Sequence, residues 1–167
     1  MIDAELHTEI GKRLGLCDSY SRTEAMVYEM LKAPSPADRV KVFLDWANIC
    51  DAPWPWRSII ADILRLACAK VVLADLLELD ERTFYDSLPD VVPVWRGCER
   101  GRERGLSWTT DPAVASGFAT GRRCFNKEPT ILTAEIPKPH IFAVFTDRNE
   151  SEIVLDPRRL RKLQLTT

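Results

Sequence analysis

The sequence predicts an α+β protein, with a helical N-terminal region over residues 1–90 and a β-rich region over residues 91–167, the two expected to fold together as one compact unit. Three observations carry this reading. Apolar residues recur at helical spacing as far as residue 79, and short apolar or alternating runs replace them after residue 91. Those later runs follow one another with a single helix among them, which is not the alternation of a βαβ protein. The charge balance reverses at the same place: residues 1–90 hold 10 Lys and Arg against 16 Asp and Glu, and residues 91–167 hold 13 against 9.

The front region divides at its own punctuation. Residues 4–14 form a short amphipathic stretch that Gly15 ends. Ser21 precedes Arg22, Thr23 and Glu24 in the spacing of a capping box, with helical periodicity over residues 25–31. Ser35-Pro36-Ala37-Asp38 opens a helix expected to run through Ile49, with proline in its first turn. Pro53 and Pro55 then force a turn over residues 51–56. From Arg57 to about Leu79 the apolar spacing predicts one long buried helix, and residues 80–90 read as a polar loop with at most a helical turn.

The back region changes period. Residues 91–96 read as a short apolar strand and residues 106–109 as a second. Asp111-Pro112-Ala113 caps a helix through Ala119. Residues 130–136 alternate, with Leu132, Ala134 and Ile136 on one face. Residues 141–145 and 152–155 are further strands, and residues 160–165 a weaker one.

Composition narrows the class. With 46% hydrophobic and 29% charged residues, the chain is ordinary for a globular domain and not for a disordered one. Five cysteines, none in a CxxC pair, and two distant histidines, His7 and His140, lead us to expect neither a disulfide framework nor a metal site. The N-terminal residues are charged from Asp3 onward, unlike a signal peptide, and charges interrupt the most apolar segment, residues 59–79. The expectation is a cytoplasmic protein without membrane contact. An acidic front and a basic back suggest that the back binds something anionic.

Three places in the back region carry chemistry. Arg96, at the end of the first strand, could present a rigid fork to phosphate or carboxylate, or simply reach solvent, and Gly97 beside it allows close approach. Ser107, Thr109 and Thr110 place three hydroxyls just before a helix, where capping accounts for Thr110 and Asp111 but leaves Ser107 unexplained. If the chain is extended from Glu150 onward, Glu150 and Glu152 share a face while Ile153 and Leu155 point to the core. Two such carboxylates could divide electrostatic stabilisation and general-base work, or be a solvated strand end.

The order of these elements, Arg96 on a first strand, Ser107-Trp108-Thr109 on a second before a short helix, and Glu150-Ser151-Glu152 leading into a third, resembles the Arg–Ser–Glu signature of the mono-ADP-ribosyltransferase family. The resemblance covers about residues 91–165 and is nearer to small bacterial and phage-borne members than to large secreted toxins. It departs from the family where Trp108 stands in the middle of the Ser-Thr-Ser-like triplet and Thr109 ends it. The resemblance implies an ADP-ribosyltransferase-like split β-sheet core that takes NAD as substrate without metal. It implies that Arg96 and Gly97 contact NAD, that Ser107 and Thr109 line its site, and that Ser107 hydrogen-bonds Glu152. Glu152 would bind the nicotinamide ribose and stabilise the cation formed as nicotinamide leaves, and Glu150 would prepare the acceptor, of the arginine type in some relatives. Phe118 or Phe125 would stack on nicotinamide, or belong to the core, and Arg122, with Arg123 and Gly121, would meet phosphate from a covering loop.

The function expected is transfer of ADP-ribose from NAD to a macromolecular acceptor, protein or nucleic acid. The competing readings are an NAD glycohydrolase toxin that uses water, which does not need a placed second carboxylate, and a non-catalytic nucleic-acid-binding module. A pI near 5.8 ranks the last lowest. The front helices carry no signature that attaches to a function.

Overall fold

The computed structural model describes residues 3–51, 53–121, 126–147 and 151–166, and it divides into two compact units, residues 1–77 and 78–167. Helices fill the first and a six-stranded antiparallel sheet dominates the second, so the chain is α+β. The boundary falls at 77/78 and not at 90 because residues 78–90 cluster with the sheet.

The first unit holds α1 (Ala4–Gly15), α2 (Ser21–Lys32), α3 (Pro36–Trp46) and α4 (Arg57–Cys68). Their apolar faces bury Ile10 and Leu14, Met26 and Met30, Val40 and Phe43, and Ile60 and Leu64. The Ser35 hydroxyl caps α3 by accepting from the Asp38 N–H, as the Ser-Pro opening predicts. That helix ends at Trp46, and a 3-10 turn covers residues 47–49. At α2 the expected Ser21 cap is not the one used. Asp18 accepts from the N–H groups of both Tyr20 and Ser21 at 2.9 Å, since a carboxylate placed ahead of the first turn outcompetes a hydroxyl inside it. His7, which faces Asp38 through Nε2 at 3.3 Å and Asp45 through Nδ1 at 3.6 Å, ties α1 to α3.

The long helix expected from Arg57 to Leu79 is broken. α4 stops at Cys68, Val72 is extended, and a 3-10 turn covers residues 73–75. The adjacent β-branched Val71 and Val72 pack poorly against a preceding helical turn, which apolar periodicity alone does not register. Residues 80–90, read as a loop, instead contain α5 (Leu79–Ser87), opened by the Glu81 carboxylate accepting from the Glu78 N–H at 3.3 Å.

The second unit continues with β1 (Val91–Glu99), β2 (Ser107–Thr109), α6 (Pro112–Ala119), β3 (Pro129–Pro137), β4 (Ile141–Phe145), β5 (Glu152–Leu155) and β6 (Arg161–Thr166). The strands hydrogen-bond into one sheet in the order β4-β5-β2-β1-β3-β6, where the resemblance leads one to expect a split core. β3 alternates as its sequence predicts, with Leu132, Ala134 and Ile136 buried. β1 pairs along its whole length with β3, which fixes the direction of every β1 side chain. Asp111 caps α6 by accepting from the Ala113 N–H at 2.7 Å. No described helix is long and apolar enough to cross a membrane.

Candidate active site

Pairing of β2 with β5 builds the centre of the site. Thr109 stands opposite Glu152 and Ser107 opposite Val154, so Ser107 and Glu152 are diagonal neighbours on one face. Trp108 and Ile153 project from the other face and are buried. The Ser107 hydroxyl donates to Glu152 Oε1 at 2.5 Å, the length of a charge-assisted O–H···O⁻ bond. Ser107 is exposed and Glu152 half-buried, so the hydrogen bond that orients the carboxylate lies at the protein surface.

Arg96 joins this pair through backbone. Trp95 pairs with Thr109, so Arg96 leaves the sheet on the opposite face, and its guanidinium turns under the β1–β2 connection. There Nη1 donates to the Ser107 carbonyl at 2.5 Å and Nε to the Arg102 carbonyl at 3.2 Å. Burial pulls the guanidinium below its ordinary pKa, while Cys98 and Glu152 pull it back up. An arginine stays charged under such a pull, so the position is a desolvated cation that two carbonyls and a nearby carboxylate compensate. Burial also pushes the Cys98 thiol up, outweighing Arg96, which pulls it the other way. Arg96, Ser107 and Glu152 therefore form a chain in which the arginine holds the serine backbone and the serine side chain holds the carboxylate.

The remaining sequence candidates fall in different places. Gly97 lies against α6: a methyl there would meet the Ala115 carbonyl oxygen and come within 2.6 Å of the Ala119 nitrogen. Thr109 is buried, and its hydroxyl accepts from the Asp111 N–H at 3.1 Å, which turns the strand into the helix. Phe118 is half-buried on α6. Arg122, with Arg123 and Phe125, and Glu150 lie outside the described residues. The extended chain expected from Glu150 onward does not run through Ser151, which has a φ of 44°, and strand geometry begins at Glu152.

Several residues of the site's surroundings were not singled out from sequence. Gly105 abuts the Arg96 guanidinium, and its carbonyl accepts from Trp108 Nε1 at 3.0 Å, which explains how a tryptophan fits in the middle of the triplet. Glu99 accepts from the Lys127 and Glu128 N–H groups at 2.6 and 2.8 Å, and Asn126 Nδ2 donates to the Phe118 and Ala119 carbonyls at the end of α6. Buried Asp156 is held by Arg158 Nε at 2.8 Å. A glycine just before the second strand, as in Arg104-Gly105-Leu106, is the one signal that could have pointed to any of these.

No family model matches the chain, and neither a curated protein nor a solved structure matches it.

Proposed function

We propose that the chain is an NAD-dependent mono-ADP-ribosyltransferase with an ADP-ribosyltransferase-like core, cleaving the nicotinamide–ribose bond and transferring ADP-ribose to a macromolecular acceptor. The observation that carries the reading is the Ser107–Glu152 hydrogen bond between adjacent strands, with Arg96 fixed to the Ser107 carbonyl beside it. A carboxylate whose one oxygen is held by Ser107 is preorganised to face positive charge developing on a ribose as nicotinamide leaves. Ser107 keeps it in that orientation. Arg96 fixes the Ser107 backbone through its bond to the Ser107 carbonyl. Glu150, two residues before Glu152 in the sequence, is the residue that favours transfer over hydrolysis, in the role of preparing the acceptor. The reaction needs no metal. NAD labelled in its adenylate portion, incubated with the protein and a cell lysate, tests the reading. Label is expected in macromolecules, and label found only in free ADP-ribose would replace transferase by NAD glycohydrolase.

A further inference from the structure

We infer that Gly105 is a positioning residue of this site: its missing side chain is the wall against which the Arg96 guanidinium lies. The inference rests on the proposed NAD chemistry only for its kinetic readout. Gly105 is buried, and a methyl built on it would come within 2.8 Å of Arg96 Nη1 and closer still to Cζ and Nη2. The guanidinium is thus trapped in a slot. Its Nε and Nη1 are pinned by the Arg102 and Ser107 carbonyls, and its Nη2, Cζ and Nη1 lie where a side chain on residue 105 would begin. The Gly105 carbonyl is itself fixed by the buried Trp108 indole, so the wall does not yield.

The two glycines of the region differ in what they face. At Gly97 a methyl meets helix backbone, which cannot move aside, whereas at Gly105 its three nearest atoms all belong to the end of one flexible side chain. Alanine at 105 therefore relieves itself by driving the guanidinium out of the slot, on the order of 1 Å, to regain ordinary van der Waals separation. That displacement breaks the bond to the Ser107 carbonyl and loosens the residue that holds Glu152. Misplacement on this scale in a site costs on the order of 10²-fold in rate.

The experiment is a double-mutant cycle on the full chain with Gly105→Ala, Arg96→Ala and the pair, read in three ways. Nicotinamide release from NAD is expected to fall about 10²-fold in Gly105→Ala and to fall no further when Gly105→Ala is added to Arg96→Ala. In 15N spectra the Arg96 Nε–H signal, protected in the native chain by the Arg102 carbonyl, is expected to lose its protection in Gly105→Ala. The Tm of Gly105→Ala is expected to recover in the double variant, because the clash has left with the arginine. Equal Tm losses from Gly105→Ala in both backgrounds, or an Arg96 Nε–H signal that Gly105→Ala leaves unchanged, would overturn the inference. Should the native chain release no nicotinamide, the proposed chemistry fails, while the Tm and Nε–H readouts still decide the role of Gly105.

Discussion

Gly97→Ala should unseat α6 from the sheet. An alanine suits the extended backbone of β1, so the whole effect comes from packing. The new methyl would overlap the Ala115 carbonyl oxygen, lie 2.6 Å from the Ala119 nitrogen and 2.9 Å from the Ala115 carbonyl carbon. All three are main-chain atoms of a hydrogen-bonded helix, so no side-chain rotation offers relief and α6 must translate as a body. Ala115 and Ala119 are themselves buried, which leaves the helix little room. Overpacking of this kind costs about 1–3 kcal/mol, and a rigid backbone neighbour puts Gly97→Ala at about 3 kcal/mol. For a chain of 167 residues that is a fall in Tm of about 6–12 °C. Gly117→Ala is the control on the same helix: a methyl there meets nothing within 4 Å, and the gain in helix propensity should raise stability by up to ~1 kcal/mol. Thermal and urea unfolding of both variants measure the difference. A Gly97→Ala chain as stable as the native one would refute close packing at Gly97 and return it to the role of admitting a ligand.

Further outcomes follow from the same contacts. Ser107→Ala removes the donor to Glu152, and since Ser107 is exposed, stability should change by less than about 1 kcal/mol while nicotinamide release falls about 10-fold or more, the scale of a hydrogen bond to a charged group. Paired kinetics and melting curves check this, and an unchanged rate would detach Ser107 from the site. In the helical unit, burial pulls the Asp38 carboxyl up, but the Ser35 hydroxyl, the Asp3 N–H and His7 outweigh it and leave its pKa below the ordinary 3.8. A lowered folded-state value means that Asp38 stabilises the fold above the unfolded value and that this contribution disappears as the pH falls below about 4 and through the folded pKa. Tm measured from pH 6 down to 2 should therefore fall less steeply for Asp38→Asn than for the native chain, and parallel slopes would contradict the assignment.

The strands and the α6 helix were legible because their signals are local. Alternation over residues 130–136 and the Asp-Pro opening at 111–112 each specify their element without help from the rest of the chain. The break after Cys68 was not legible, because helical periodicity continues through residues 69–79 although two adjacent β-branched residues interrupt the backbone. The Ser107–Glu152 contact was implied only by the family resemblance, and its geometry depends on a register, Ser107 opposite Val154, that arises between segments 45 residues apart. The tie from Arg96 to the Ser107 carbonyl and the packing of Gly97 and Gly105 were out of reach for the same reason. Each depends on which backbone passes within a few ångströms, and sequence spacing does not encode that.

The central claim is that Glu152 faces the bond broken in NAD. Nicotinamide release by the native chain and by Glu152→Gln, at millimolar NAD and at a temperature where both are folded, tests it most directly. Glutamine keeps the size of the side chain and an oxygen to accept from Ser107 while removing the charge, so the fold should persist. The account predicts release by the native chain and a fall of roughly 10²–10³-fold in Glu152→Gln, the loss expected when one preorganised electrostatic group is removed from a site. Native-like release by Glu152→Gln, or no release by either chain, would contradict it.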